Sequence, residues 1–346
     1  MVSMKSVEQP LVSVIIVNWN GATYLQACLD SILAQSYSNL EIIVVDNASR
    51  DASPSLLRGY GSRLRVIENP VNLGFAGGNN VGIRAAKGTY IALINNDAVA
   101  DRRWVEALAR AAEADPGIGM CASKIYLSGP GRVLDSAGLL LSRDGIGRGR
   151  GRLEPDRDEF GREAEGLLPS GCAAFYRRAM LDDVGLFDED FFAYCEDSDL
   201  GLRGMIAGWR SRYVPAAIVT HAYSASTAPY SSFKAFHVER NRIWVVVKCF
   251  PRRLLVASLL YTAARYLAQA KGALRGRGPA ARFVEHVSVW AALGTLARAY
   301  GAALARLPAM WQKRRQVLAL RRRPAREIEA WFRIQRLPLS ELVFKD

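Results

Sequence analysis

Three apolar segments in the first hundred residues share one ending. VSVIIVNW (12–19) runs into Asn18-Trp19-Asn20-Gly21, LEIIVVD (Leu40–Asp46) into Asp46-Asn47-Ala48-Ser49, and TYIALIN (89–95) into Asn95-Asn96-Asp97. Continuous apolar runs of this length suit strands buried on both faces of a parallel sheet. Between the first two, Tyr24, Leu25, Cys28, Leu29, Ile32 and Leu33 recur at helical spacing. Residues 64–67 read as a short further strand, and 77–86 and 104–114 as helices. This βαβα rhythm predicts an α/β nucleotide-binding half whose ligand lies at the carboxyl ends of the strands. The Asn and Asp side chains should therefore gather along one edge of the sheet.

With 346 residues, half of them hydrophobic and 23% charged, the chain is long enough for one large α/β domain and a smaller appendage. Its five cysteines (Cys28, Cys121, Cys172, Cys195, Cys249) are widely spaced and form no C-x-x-C pair. Buried thiols are expected from them rather than a disulfide framework or a zinc site. No basic and apolar leader pattern is present at the N-terminus. The net charge of +13 is uneven: residues 1–243 hold 26 Lys and Arg against 28 Asp and Glu, whereas 244–346 hold 20 against 5. An anionic membrane surface or nucleic acid is thus a partner for the tail rather than for the main domain.

The stretch 128–166 carries nine glycines and seven arginines with little periodicity, and reads as a lid, a binding loop or a solvated insertion. A short strand (172–176) and the helix RRAMLDDVG follow, then GLFDEDFFAYCEDSDLGLRGMIAGWR and a last strand, VPAAIVTH, ending in His221. Asp197–Asp199 stand where a helix starts. From Ile243 onward the pattern is helical and rich in Leu, Ala and Arg. Lys248, Arg252, Arg253 and Arg265 interrupt any run long enough to span a bilayer. Helices with Arg on one face and Leu, Trp and Tyr on the other fit attachment in a membrane interface. Packing on the catalytic domain, or on a second copy in a homodimer, is the alternative. The expected division is a domain over 1–243 (nucleotide half 1–100, loop 128–166, acceptor half 167–243) and a basic helical extension over 244–346.

Taken in order, VSVIIVNWNG, VVDNAS, ENPVNLGFAGGNN, LINNDA, SGCAAFYRRAM, VGLFDEDFFAYCEDSDLGLR, AGWR, VPAAIVTH and ERNR resemble family 2 glycosyltransferases of the GT-A fold. The likeness covers about residues 11–245 and is strongest to the rhamnosyltransferase-like branch that builds bacterial surface polysaccharides. It implies a Rossmann-like mixed sheet flanked by helices, and an inverting, metal-dependent transfer from a nucleotide-diphosphate sugar, dTDP-rhamnose or a UDP-sugar. The implied acceptor is a saccharide or a polyprenyl-diphosphate-linked glycan, at the cytoplasmic face of the plasma membrane. A catalytically inactive sugar-nucleotide-binding protein of the same fold is the alternative, and nucleic acid is not an expected partner.

The resemblance also assigns roles. Asp46 is placed to accept the ring N–H of a uracil or thymine base; an Asx turn into Asn47-Ala48-Ser49 is the local alternative. Asn18 and Asn20 belong to the same donor edge. In NLGFAGGNN, the glycines Gly74, Gly77 and Gly78 are expected to let backbone approach a diphosphate, with Asn72 and Asn79 donating amide hydrogen bonds. Asn95-Asn96-Asp97 stands where the family has Asp-x-Asp, so Asp97 is the expected ligand of Mg²⁺ or Mn²⁺, with Asn95 in place of the first carboxylate. His221 is expected to complete the metal site. Of the acidic cluster, Asp197 is the expected base toward the acceptor hydroxyl, Glu196 its neighbour orienting the loop or acceptor, and Asp199 a helix cap. Arg240, Asn241 and Arg242 in ERNR are expected to face the donor diphosphate or the pyrophosphate of a lipid-linked acceptor, since guanidinium forks suit phosphate, or else to pair structurally with Glu239 or the acidic cluster. Phe187, Asp188, Phe191, Phe192, Tyr194 and Trp209 would form a wall near the acceptor, with core packing as the default reading for the aromatic side chains.

Overall fold

In a computed structural model, which describes residues 9–222, 231–335 and 337–345, the predicted strands assemble into one mixed sheet. β1 (Val12–Asn18), α1 (Ala22–Leu33), β2 (Leu40–Asp46), α2 (Ser53–Gly59), β3 (Arg65–Glu68), α3 (Gly74–Ala85) and β4 (Tyr90–Ile94) form the first half. β1 pairs in parallel with β2 and β4, and β2 with β3. The register sets Asn18 opposite Asp46 and Asp46 opposite Glu68, so the polar strand ends do share one edge. Their apolar interiors are fully buried, as a sheet covered on both faces requires.

A short β5 (Ala98–Ala100), α4 (Trp104–Glu113) and the long β6 (Ile118–Leu127) lead into the Gly/Arg-rich stretch. That stretch is not a structureless loop. It contains β7 (Leu134–Ala137), which pairs with β6, the hairpin of β8 (Leu139–Leu141) and β9 (Gly147–Gly149), and β10 (Ala164–Glu165). Leu134, Ala137, Leu140, Phe160 and Leu167 form a core of their own with Tyr126 and Tyr213. β11 (Ala173–Arg177) then runs antiparallel between β4 and β6, and is followed by α5 (Arg178–Val184), α6 (Glu196–Ile206) and β12 (Arg210–His221). β12 is parallel to β6 and antiparallel to β5.

The C-terminal part comprises α7 (Ser232–Cys249), α8 (Arg252–Ala273), α9 (Pro279–His286), α10 (Val289–Ala305), α11 (Leu307–Ala319), α12 (Ala325–Ile334) and α13 (Leu339–Phe344). The expected boundary after 243 falls inside α7, whose Trp244, Val245, Val247 and Cys249 belong to the main core. Part of the tail's positive charge is paired with the body, although most of its described Lys and Arg residues are exposed. Lys313 bonds Asp188 and Asp190 (2.5 and 2.9 Å), Arg322 bonds both carboxylate oxygens of Asp183, and Lys345 pairs with Glu154. Buried Arg314 donates to Val247 O and Phe250 O, closing the end of α7. Among the described residues no single helix is long and apolar enough to cross a membrane; α9 and α10, bent by 111°, meet that length and composition only as a pair.

Lys248 on α7 is more enclosed than any of these four. It lies 2.6 Å from Asp188 and 2.7 Å from Asp199, the latter fully buried and also paired with Arg203. Burial by itself would raise the Asp188 carboxyl, but Lys248 and Lys313 bring it down to about 2. Its ionised form therefore contributes stability above the ordinary carboxylate pKa, and the contribution is lost as pH falls from about 4 toward 2. Lys248→Ala leaves two buried carboxylates short of a partner, so urea unfolding should show a loss of about 3 kcal/mol.

Candidate active site

The cleft is assembled where the two halves of the sheet meet. At the end of β1, Asn18 donates to Asp46 Oδ1 (3.0 Å) and Ser49 Oγ (3.1 Å) and accepts from Asn96 Nδ2 (2.8 Å). One amide thereby clamps three strand ends. Gly21 allows this, because a Cβ there would sit 2.0 Å from Asn96 Nδ2 and 2.5 Å from Asn18 Oδ1. Asp46 also accepts from Ser49 N at 3.0 Å, so the Asx turn is formed and the carboxylate is buried. Asn47 is a second hub that sequence reasoning missed: it donates to Asn72 Oδ1 and Gly74 O and accepts from Asn69 Nδ2 and Leu73 N.

Asp97 and His221 meet because β5 pairs with β12, setting Ala98 opposite His221. His221 Nε2 lies 3.3 Å from Asp97 Oδ1, and Nδ1 lies 2.8 Å from Asp135 Oδ2, itself paired with Arg152. Burial would raise the Asp135 carboxyl, but the His221 bond and the Arg152 charge hold it below its ordinary value. Asp135 comes from β7, inside the stretch whose sequence shows no period, so only the pairing of β6 with β7 reveals it. Despite the 3.3 Å approach, Asp97 Oδ1 is buried and, among the described residues, receives no hydrogen bond. An orphaned carboxylate oxygen beside an imidazole nitrogen fits a divalent cation. No group of three His, Cys, Asp or Glu converges on one point among the described residues, so protein ligation would come from these two side chains.

The opposite wall is the start of α6. Asn95 N donates to Cys172 O (2.9 Å), and Gly171 N, one residue earlier, donates to Asp197 Oδ2 (3.1 Å). The 170–172 turn thus touches both walls. Asp197 Oδ1 accepts from Ser198 N at 2.6 Å, and the side chain keeps part of its surface open to the cleft while protein surrounds the rest. Burial raises its carboxyl pKa, against the pull of the backbone donors. Glu196 is more deeply set; burial and the neighbouring Asp197 and Asp199 push its carboxyl well above the ordinary range, and its Oε2 has no hydrogen-bond partner among the described residues. The two acids titrate as a pair. Asp199 is not a cap. It points inward to Arg203 and Lys248, while Cys195 in a left-handed conformation (φ 68°) begins the helix.

Phe192, Tyr194 and Cys195 all have φ between 64° and 71°, a left-handed backbone that costs non-glycine residues about 1–3 kcal/mol each. Asn241 on α7 holds this loop: its amide lies within hydrogen-bond distance of Phe191 O (2.9 Å), Ala193 O (2.8 Å) and Tyr194 O (2.7 Å). Arg240 is corrected by the same contacts. Its guanidinium stacks 4.4 Å from the Trp244 ring and donates to Asp190 O and Phe191 O, beneath the loop rather than toward a donor.

Other expected donor contacts are corrected as well. A Cβ on Gly74 (φ 71°) would lie 2.5 Å from Phe192 O, so this glycine permits the two halves to touch at the edge of the cleft that it lines. Gly77 faces Leu73, and Gly78 packs on Val17. Asn79 donates to Phe75 O within its own helix. The first donors of α3 are engaged too, Gly74 N with Asn72 Oδ1 and Ala76 N with Phe192 O. Asn20 is an exposed turn residue that accepts from Arg50 N. Phe187 and Phe191 are core, and Trp209 bonds Asp183.

Asn72, Gly74, Asn95, Asn96, Asp97, Glu196, Asp197 and His221 line a single cleft of about 1550 Å³, together with Arg148, Arg152, Phe192, Tyr194 and Lys234. Asn18, Asn20, Asp46, Gly77, Asn79 and Arg240 do not line it. A second hollow of about 540 Å³ at the N-terminal ends of β2 and β3 holds Glu41, Arg63 and Arg65 but no paired carboxylates.

Fold and site define an α/β protein with a strand-end cleft, two opposed acidic groups and the elements of a cation site. The chain belongs to the family described as Glycosyl transferase family 2, whose profile matches residues 13–185. It is similar to a putative glycosyltransferase, EpsH of Bacillus subtilis (33% identical over 132 residues, 37% of this chain and 38% of that protein). It is also similar to glycosyltransferase GlyG of Streptococcus pneumoniae (36% over 101 residues, 28% and 34%) and to an uncharacterized Sinorhizobium fredii protein, y4gI (29% over 231 residues, 63% and 25%). These matches span about a quarter to two fifths of the curated relatives' lengths. Among solved structures, the fold is similar to GalNAc-T7 with UDP, GalNAc and Mn²⁺ (TM-score 0.57, 16% identity, 70% of this chain and 48% of that one). The Pyrobaculum calidifontis mannosyltransferase PcManGT with GDP-Man and Mn²⁺ gives 0.52, 22%, 91% and 86%. The architecture is thus of the GT-A kind, with a C-terminal helical region.

Asn241→Ala should lower the thermal midpoint by roughly 2–5 °C by orphaning loop carbonyls. Glu196→Gln should raise it by about 1–3 °C, because a buried acid with a raised pKa costs stability as pH rises through that value. Differential scanning calorimetry at pH 7 checks both.

Proposed function

We propose that this protein is an inverting glycosyltransferase that moves a sugar from a nucleotide-diphosphate donor to a hydroxyl of a saccharide acceptor. The observation that carries the reading is the placement of Asp97 and Asp197, a hundred positions apart, on the walls of one cleft. Family membership and the Mn²⁺-bound nucleotide-sugar complexes of similar fold support it.

In this reading the acceptor hydroxyl attacks the anomeric carbon from the face opposite the diphosphate, and Asp197 takes its proton. Gly171 N and the Ser198 amide hold that carboxylate in one orientation, and its raised pKa makes it a better base than an exposed Asp. Asp97 and His221 would hold a divalent cation, Mg²⁺ or Mn²⁺, which when bound offsets the negative charge of the departing nucleoside diphosphate. Asp135 fixes the His221 ring for that role. Asn72, Asn95 and Asn96 supply amides, and Arg148 and Lys234 positive charge, along the cleft. A UDP- or dTDP-linked sugar is the donor that the family resemblance favours, dTDP-rhamnose first; Asp46, engaged by Asn18 and Ser49, stands behind the cleft lining and supports that edge. A non-catalytic sugar-nucleotide binder has no use for a destabilising buried pair such as Glu196 and Asp197.

Asp197→Asn should cut transfer by about 10³-fold or more while leaving donor affinity within about threefold. Transfer at or near the wild-type rate would remove Asp197 as base. The acid limb of kcat/KM in the wild type should fall above the ordinary carboxylate range. In a thermal-shift panel of nucleotide sugars, the true donor should stabilise the protein only weakly once EDTA is present.

A further inference from the structure

Helix α8 is built inside out. A helix on a water-soluble surface turns its apolar stripe inward. Here the buried positions are Ser258, Arg265 and Gly272, and Arg265 is held there by Asp144 (2.6 Å) and Glu239 (2.9 Å). The outward face carries Val256, Leu260, Leu267 and Leu274 at 64, 76, 74 and 91% exposure. With Ala263 and Ala270 between them, these follow a four-three spacing along one line. Over the 18 helical steps from 256 to 274 that stripe is about 27 Å long. Leu259 (70%) widens it, and the neighbouring α9–α10 segment adds Val289, Trp290 (83%) and Leu293.

Charge identifies what covers the stripe. Exposed Arg252 and Arg253 stand at its start and exposed Lys271, Arg275 and Arg277 at its end. Between residues 244 and 326 the only acidic residue is Glu285. A second copy laid antiparallel on this stripe would bring Arg252 and Arg253 against Lys271, Arg275 and Arg277; laid parallel, it would bring each cluster against itself. Both arrangements put like charges together at the ends of an apolar contact. An anionic lipid surface meets both features at once, taking the leucines into its acyl boundary and the cations among its headgroups.

We infer that the outer face of α8, with Trp290, is a docking surface for an anionic bilayer. The cleft supports this independently. Beyond Glu239 and Arg265, it continues as an apolar arm lined by Ala270, Ala273, Phe283, Val289 and Leu293. Ala270, Val289 and Leu293 also belong to the exposed surface, so this arm of the cleft reaches the face turned to the lipid.

The test is vesicle co-sedimentation of the full chain with phosphatidylcholine alone and with phosphatidylcholine containing about one third phosphatidylglycerol, with sedimentation velocity on the protein alone. The wild type should pellet with the anionic vesicles, at least tenfold more strongly than with the neutral ones, and less so as salt rises. The double variant Leu260→Glu/Leu267→Glu should lose that binding at least tenfold. Its thermal midpoint should be unchanged, since neither side chain touches the core or the cleft. Wild-type protein that stays in solution with both vesicles overturns the proposal, as does undiminished vesicle binding by the double variant. A wild-type dimer that binds no vesicles and that the variant splits would instead assign the stripe to a second copy.

Discussion

The backbone hydrogen bond from Asn95 N to Cys172 O ties the Asp97 side of the site to the turn that carries the acidic wall. It exists because β11 enters the sheet antiparallel to β4, bringing the turn before β11 across the end of β4. From that turn Gly171 N reaches Asp197, and from the other side of the same peptide region Asn95 leads into Asp97. Two carboxylates remote in sequence thereby come to line one cleft. The pairing of β5 with β12 then adds His221 to the Asp97 side without any further loop.

The acidic side of the cleft is energetically costly, and the surrounding structure shows how the cost is met. Three carboxylates fall within the first turn of α6, where the helix dipole favours negative charge but burial opposes it. One of them, Asp199, is neutralised by Arg203 and Lys248. The other two keep raised pKa values, the condition in which a carboxylate accepts a proton readily near neutral pH. The left-handed backbone before them is held from below by Asn241 and Arg240, so ERNR supports the reactive loop instead of contacting ligand.

The strands and their Asn and Asp ends were legible because an apolar run and a period are local properties of the chain. So was the edge on which Asp97 gathers. The placement of Asp135 was not, since β7 is four residues long and gets its register from β6. Glycines misled for a similar reason. NLGFAGGNN shows that close approach is needed but not by what, and the approaching groups are Phe192, Leu73 and Val17. Arg240 and Asn79 carry donors that suit phosphate equally well, yet carbonyls of neighbouring loops and of α3 itself took them. In α8 the spacing of the leucines reveals a stripe, but a stripe has the same period whichever way it faces. Its direction is set by Arg265, whose carboxylate partners lie on α7 and in the β8–β9 hairpin.

The course of α7 bears on how this architecture is inherited. One uninterrupted helix carries Glu239 into the charge network with Arg265, Asn241 under the strained loop, and Lys248 against the acid at the third turn position of the reactive cluster. The helical region is therefore not an accessory that evolution can detach while leaving the sheet half intact. In a relative that ends before this helix, the buried carboxylate at position 199 would keep only Arg203 of its own helix as a partner. The lysine and the aspartate should accordingly be gained, kept or lost together across descent.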